Sequence, residues 1–134
     1  MDNNELIEIA KKARKNAYLK HSDYSVGAAL YTGSGKIYVG VNIDEYAIPN
    51  LSICAERVAF NNAISNGERV FKKIAIVGGK QDCIEDKTLI PCGVCLQYML
   101  DIAESVEILV YINEKLEIKN VKDFLKVPFE LKKQ

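Results

Sequence analysis

Hydrophobic and polar positions divide the first third of the chain into one helix and one hairpin. From Glu5 to Lys20, apolar residues recur at steps of three and four, the spacing of an amphipathic helix with one buried stripe. Two β-rich runs follow, Val26 to Thr32 and Lys36 to Ile43, separated by Gly33-Ser34-Gly35. Glycine-rich punctuation between two such runs predicts an antiparallel hairpin.

The rest of the chain alternates between helical and strand-like patterns. Helical segments are predicted at Ile53 to Ser65 and Pro91 to Glu104, with a last helix starting over Val121 to Lys126. Short apolar runs predict strands at three places: Lys73 to Gly78, Val106 to Ile112 and Leu116 to Lys119. The order αββαβαββα favours an α/β fold, a mixed sheet covered by helices, because strand-helix-strand units give parallel neighbours and tight links give antiparallel ones.

Composition and charge narrow the class of partner. The chain has 134 residues, about one domain's worth, and its 18 basic and 18 acidic residues cancel, so no global positive field attracts nucleic acid or an anionic membrane. No apolar run approaches the roughly 18 residues of a membrane span, and the charged, helical N-terminus is unlike a signal peptide. We therefore expect a cytoplasmic protein that binds a small molecule.

Cysteines carry the strongest chemical signal. Cys54 and the Cys92/Cys95 pair lie at two predicted helix N-termini joined by a crossover, so the three thiols can converge at one sheet edge. Helix N-termini favour thiolates, and a soft ligand set selects zinc with a fourth position left for water. Glu56 is placed to take a proton from that water, and Arg57 to offset the excess negative charge.

Three other interpretations of the cysteines remain open. Cys83 could be a fourth ligand of a structural zinc, but such a site leaves Glu56 without a role. The Cys92-x-x-Cys95 motif could be a redox pair, which Cys54 and the element order do not favour. The third interpretation makes Cys83 an ordinary loop cysteine, and it is the default. His21, the one histidine, is expected to be a surface or capping residue.

Several segments together resemble the cytidine deaminase family of zinc-dependent nucleoside deaminases. The resemblance is carried by the run Ser22 to Leu30, by Gly40 with Asn42, by Ile53 to Arg57 and by Pro91 to Gln97. A cysteine as first ligand and the short length are similar to the small homotetrameric branch, of which blasticidin S deaminase is a relative. The resemblance implies one cytidine-deaminase-like domain over residues 1–134, with three α/β/α layers around a five-stranded mixed sheet.

The resemblance also implies a reaction, the hydrolytic deamination of cytidine or deoxycytidine to uridine or deoxyuridine in pyrimidine salvage. Cys54, Cys92 and Cys95 would bind one zinc per subunit. Glu56 would shuttle a proton from the bound water to N3 of the pyrimidine while hydroxide attacks C4. Arg57 would compensate charge at the zinc.

Substrate contacts are implied for four further positions and for a neighbouring subunit. Asn42 would contact the ribose hydroxyls, Tyr24 would pack near the nucleoside, and the Ala55 backbone would contact the base. Phe129 is a candidate for the aromatic that reaches a neighbour's pocket, because the family's subunits complete one another's active sites.

Departures from the family pattern bear on the substrate. The Asn-x-Glu motif becomes Asn42-Ile43-Asp44-Glu45 in a loop one residue longer, so Asp44 and Glu45 are both candidates for the ribose contact. Leu96 replaces an arginine common in the family. Another aminopyrimidine such as blasticidin S therefore stays an alternative substrate, and a non-catalytic, zinc-stabilised interaction module is a second alternative.

Overall fold

The computed structural model describes residues 1–45 and 47–131 of the chain, without the side chain of Pro49. Its helices are α1 (Asn3–Ala13), α2 (Ala55–Ser65), α3 (Gly93–Ile102) and α4 (Val121–Phe124), with 3-10 turns at Arg14–Asn16 and Pro49–Leu51. Its strands are β1 (Tyr18–Leu19), β2 (Tyr24–Thr32), β3 (Ile37–Val41), β4 (Ile43–Asp44), β5 (Phe71–Lys80), β6 (Glu107–Ile112) and β7 (Lys115–Lys119).

Five strands form the main sheet, in the order β3-β2-β5-β6-β7. Strands β2 and β3, β2 and β5, and β6 and β7 pair antiparallel, whereas β5 and β6 pair parallel across the crossover through α3. The sheet is therefore mixed, which confirms the predicted single α/β domain with five strands.

Alternation along the strands sends side chains to both faces of the sheet and produces three layers. Ala28 and Leu30 of β2 pack with the core that includes Phe60 of α2 and Met99 of α3. Ala29, between them in sequence, packs on the opposite face with Leu6 of α1. All six side chains are fully buried, as the period of two in a strand covered on both faces requires.

The first helix is shorter than its pattern predicts. After Ala13 the chain tightens into the 3-10 turn, and Tyr18–Leu19 then pairs in parallel with Ile43–Asp44 as a separate two-stranded sheet. A two-residue pairing has too little periodicity to detect in a sequence, and its partner lies 25 positions away. None of the helices in the described ranges is long and apolar enough to cross a membrane.

Close contact at Gly40 fixes where α2 lies on the sheet. A Cβ at this position would lie 2.3 Å from the Ala55 carbonyl oxygen and 2.4 Å from the Ala59 nitrogen, both in the backbone of α2. The absence of a side chain lets the first turn of α2 rest directly on β3. Because Cys54 and Glu56 belong to that turn, Gly40 sets their height above the sheet.

We predict that Gly40→Ala destabilises the protein by about 2 kcal/mol, since overpacking against rigid backbone cannot be relieved by rotating a side chain. Urea unfolding followed by circular dichroism measures the change. The matched control is Gly93→Ala, because a Cβ there would have no heavy atom within 4 Å and alanine suits a helix better than glycine. Equal stability of the Gly40→Ala variant and the parent chain would contradict the close contact.

Candidate active site

Two helix N-termini meet beside the sheet and carry the predicted site. Cys54 is the N-cap of α2 and Cys92 the N-cap of α3, both with extended backbone and with no hydrogen bond from their side chains to the first turn. Their sulfur atoms therefore do not cap the helices, as a serine or aspartate side chain does at such positions. Unpaired backbone N–H groups and the helix dipoles make this region favourable for anions.

Three thiols converge at this point, as the sequence predicts. The sulfur atoms of Cys54, Cys92 and Cys95 all lie within 4.8 Å of one another, and those of Cys54 and Cys92 are 3.7 Å apart. Two sulfurs that share a tetrahedral zinc at a Zn–S distance of about 2.3 Å are separated by about 3.8 Å. The donor set and its spacing therefore fit one zinc ion.

Cys83 does not belong to this cluster. Its side chain is exposed on the segment before α3, and its carbonyl oxygen accepts a hydrogen bond from Arg14. The three thiols of the cluster thus leave one position of a tetrahedral ion without a protein sulfur. An open position distinguishes catalytic zinc sites from structural ones.

Neighbouring groups stabilise the thiolate form of Cys54. A hydrogen bond from the Cys95 thiol outweighs burial and, with hydrogen bonds from Arg57 and Cys92, lowers the pKa of Cys54 to about 5. The same interaction with Cys54, together with burial, raises the pKa of Cys95 well above its usual range. The Arg57 guanidinium contributes through Nη2, which lies 3.6 Å from the Cys54 sulfur. A cation at this distance offsets part of the charge that thiolates bring to the site.

Glu56 lies two residues from the first sulfur ligand and is almost fully buried, with 5 % of its surface exposed. Burial, reinforced by the charge of Cys54, raises the pKa of Glu56 to about 7 against a partly compensating backbone hydrogen bond. A carboxyl group whose pKa lies close to neutrality can both accept and release a proton. Its position in the first turn of α2 directs it into the cavity beside the thiols.

A cavity of about 240 Å³ opens next to the cluster. Its walls combine apolar side chains with a few polar groups: Val26, Ile53, Ile76, Leu89 and Ile90 on the apolar side, and Asn42, Asp44, Ser52, Cys54, Glu56 and Cys92 on the polar side, with Ala55 between them. Within residues 1–45 and 47–131, no lysine or arginine lines it. The cavity therefore suits an uncharged or cationic ring rather than a phosphorylated one.

Asn42 is held by the backbone of β2. Its Oδ1 accepts from the Val26 N–H at 2.8 Å, and its Nδ2 donates to the Tyr24 carbonyl at 2.9 Å. The same Nδ2 lies 3.3 Å from Asp44 Oδ1, and the Ser22 hydroxyl donates to Asp44 Oδ2. Asn42 and Ser22 therefore fix the Asp44 carboxylate at the cavity wall.

The two acidic candidates for the ribose contact lie in different surroundings. Asp44 lines the cavity, whereas Glu45 accepts from the Ala47 N–H at 2.9 Å and lies 3.8 Å from the Lys20 ammonium. The sequence cannot separate them because the loop is one residue longer than the family motif. The Ser22 hydroxyl holds Asp44 at the cavity wall.

Two predicted aromatic contacts lie outside the cavity of their own chain. The Tyr24 hydroxyl donates to Asp86 at 2.7 Å. Phe129 is exposed, and its carbonyl accepts from Gln97 of α3. Sequence reasoning did not identify Leu89 and Ile90 as cavity residues. No motif marks these two side chains.

Comparison with known proteins agrees with this geometry. Residues 1–112 match the model of the cytidine and deoxycytidylate deaminase zinc-binding region. A cytidine deaminase of Sporosarcina psychrophila is 42 % identical over 101 residues, which cover 75 % of this chain and 70 % of that protein. A blasticidin-S deaminase of Bacillus cereus is 30 % identical over 128 residues, 93 % of this chain and 90 % of that protein.

Solved structures show the same architecture. The crystal structure of cytidine deaminase from Burkholderia pseudomallei superposes with a TM-score of 0.85 at 34 % identity, covering 96 % of this chain and 100 % of that one. Fold, family match and thiol cluster agree on one assignment. The chain belongs to the cytidine and deoxycytidylate deaminase family of zinc-dependent hydrolytic deaminases.

Proposed function

We propose that this protein deaminates cytidine and deoxycytidine to uridine and deoxyuridine by hydrolysis, as a step of pyrimidine salvage. The observation that carries the proposal is the buried Glu56 beside the cluster of Cys54, Cys92 and Cys95, inside a cavity with apolar walls. Relatives that are named cytidine deaminase support the choice of substrate.

In this proposal the three cysteines hold one zinc per subunit, and the Arg57 guanidinium balances part of their charge. Zinc, when bound, acts as a Lewis acid that lowers the pKa of a water molecule and so supplies a nucleophile for the reacting carbon. The chain fixes where zinc would bind, because both ligand segments lie at helix N-termini against the sheet.

Glu56 moves the protons. It accepts one from the attacking water and delivers it to N3 of the cytosine ring. It then takes the remaining proton of the hydroxyl group added at C4 and transfers it to the amine, which leaves C4 as that hydroxyl becomes the carbonyl. Water and cytidine thereby become uridine and ammonia. The buried position of Glu56 keeps bulk water from competing for these transfers.

The cavity walls favour a nucleoside over a nucleotide. Val26, Ile76, Leu89 and Ala55 line the cavity. In this proposal the three larger side chains make apolar contacts with the ring, and the Ala55 backbone contacts the base. Asp44 adds a carboxylate at the wall, while the part of the cavity described above has no lysine or arginine to pair with a phosphate. A phosphate group on the substrate would therefore be repelled by the Asp44 carboxylate.

A second substrate class deserves a direct comparison. The blasticidin-S deaminase of Bacillus cereus aligns over 93 % of this chain, more than the 75 % covered by the Sporosarcina enzyme. The Asp44 carboxylate at the cavity wall also suits a cytosine derivative that carries a positive charge. Blasticidin S is therefore the alternative substrate, and a non-catalytic zinc module is the interpretation left if neither compound reacts.

We further propose a homotetramer in the cytoplasm. Apolar side chains are exposed on the segments that adjoin the cavity residues in sequence and on the tail, namely Ile48, Leu51, Ile90, Val94 and Phe129. Exposed apolar side chains that cluster are characteristic of protein interfaces, and the Phe129 carbonyl accepts a hydrogen bond from Gln97 of α3. Four free cysteines, three of them in one cluster, suit a reducing compartment.

The function is tested by Glu56→Gln, assayed with cytidine, deoxycytidine, deoxycytidine monophosphate and blasticidin S through ammonia release and ultraviolet absorbance. We expect rapid deamination of both nucleosides by the parent chain and a kcat lower by about 100-fold or more in the variant, since general acid-base catalysis contributes that much. Zinc content should stay at one per chain. The control is Glu104→Gln, which alters an exposed carboxylate 3.5 Å from Lys122. Full activity of Glu56→Gln would contradict the proton-transfer role.

The ribose contact is tested by a pair of substitutions that each remove one charge, Asp44→Asn and Glu45→Gln. We expect Asp44→Asn to raise KM for cytidine about tenfold, because a hydrogen bond to a charged acceptor at the cavity wall is weakened. Glu45→Gln should change KM by less than about threefold, since its carboxylate lies beside Lys20 and the Ala47 N–H. The reverse ranking would assign the ribose contact to Glu45.

A further inference from the structure

The segment 81–90 runs from the end of β5 to the zinc ligands of α3 and supplies two cavity residues, Leu89 and Ile90. It has no helix or strand of its own. The position of this wall therefore depends on contacts that tie the segment to the rest of the molecule.

The first half of the segment is fastened by a buried cation. Arg14, 4 % exposed, donates from Nη1 to the Cys83 carbonyl at 3.1 Å and to the Glu85 carboxylate at 2.5 Å. Its Nη2 donates to the Lys80 carbonyl at 2.8 Å. Charge-assisted hydrogen bonds of this kind are among the stronger ones in proteins, so residues 80–85 form a fixed base.

Two glycines let the segment lie directly on β5. A Cβ at Gly78 would lie 3.0 Å from Leu89 Cδ2, and one at Gly79 would lie 3.0 Å from the Ile84 carbonyl oxygen. The Asp86 N–H donates to the Gly78 carbonyl at 2.7 Å. The segment is thus packed against the sheet at the cavity.

A side-chain hydrogen bond joins the segment 81–90 to β2. The Tyr24 hydroxyl donates to Asp86 Oδ2 at 2.7 Å, while the Tyr24 carbonyl accepts from the Asn42 amide that also contacts Asp44. Burial, followed by the hydrogen bond and charge of Asp86, raises the pKa of Tyr24 well above its usual range. The phenol therefore remains a donor to Asp86 throughout the working pH range.

We propose that Tyr24 is a positioning residue, whose hydrogen bond to Asp86 holds the segment 81–90 so that Leu89 and Ile90 form part of the substrate-binding wall. The bond thereby fixes the position of these two side chains in the cavity. Loss of this hydrogen bond should affect substrate binding more than the chemical step, because neither Glu56 nor the thiols of the cluster take part in it. The effect on catalysis rests on the proposed nucleoside deamination, whereas the effect on the segment does not.

The test compares Tyr24→Phe, Asp86→Ala and the double variant with the parent chain. We expect each single variant to raise KM for cytidine about fivefold, as loss of one hydrogen bond allows, with kcat changed by less than about twofold and zinc content unchanged. The double variant should be no worse than either single one, since both substitutions remove the same interaction. Asp86→Asn, which keeps an oxygen acceptor, should restore most of the parent KM.

Amide hydrogen exchange gives a readout that does not require turnover. The Leu89 N–H, which donates to the Tyr111 carbonyl at 3.1 Å, should exchange about five times faster in Tyr24→Phe and in Asp86→Ala than in the parent chain. The matched control is Lys87→Ala, which removes an exposed ion pair with Glu114 in the same segment and should change neither KM nor Leu89 exchange.

Three outcomes would overturn the proposal. Additive effects of the two substitutions on KM would mean that Tyr24 and Asp86 act separately, with Tyr24 contacting substrate itself. A fall in kcat accompanied by loss of zinc would mean a structural role at the ligand segment. Unchanged Leu89 exchange would mean that the bond does not hold the segment, and this result decides the matter even if the parent chain deaminates no nucleoside.

Discussion

Three sulfur atoms from two distant parts of the chain must lie at tetrahedral spacing around one cation, and the rest of the structure serves this constraint. The thiols of Cys54, Cys92 and Cys95 would repel one another as thiolates without a positive partner. The helix N-termini and the Arg57 guanidinium reduce that repulsion, and the rigid sheet below prevents the two segments from separating. Gly40 is part of the same requirement, because it lets α2 rest on β3 at the height where Cys54 meets Cys92.

The cavity beside the sulfurs divides its tasks between its walls. Apolar side chains of β2 and β5 and the carboxylate of Asp44 line the cavity, and the buried Glu56 is the group that we propose for proton transfer. Asp44 is held by Ser22 and Asn42. Leu89 and Ile90 also line the cavity, and the segment that carries them is held by contacts made far from α3 in sequence. The residues that we propose for substrate binding are therefore different from the three cysteines that could hold the metal.

Sequence patterns predicted much of this arrangement because periodicity and thiol spacing are local signals. The five strands of the sheet, the helix order and the convergence of three cysteines follow from patterns within single segments and one crossover rule. The end of α1 and the pairing of Tyr18–Leu19 with β4 could not be predicted, because they depend on contacts between residues remote in sequence. The different surroundings of Asp44 and Glu45 likewise depend on contacts with Ser22 and Lys20, which no spacing rule connects to the loop.

We expect the cluster to bind zinc through three cysteine sulfurs and to leave one position for an oxygen or nitrogen ligand. X-ray absorption spectroscopy at the zinc edge of the purified protein measures this directly. We predict three sulfur ligands at about 2.3 Å and one oxygen or nitrogen ligand at about 2.0 Å, with an unchanged spectrum in Cys83→Ser. Four sulfur ligands, or a spectrum that changes in Cys83→Ser, would contradict the account and indicate a closed structural site.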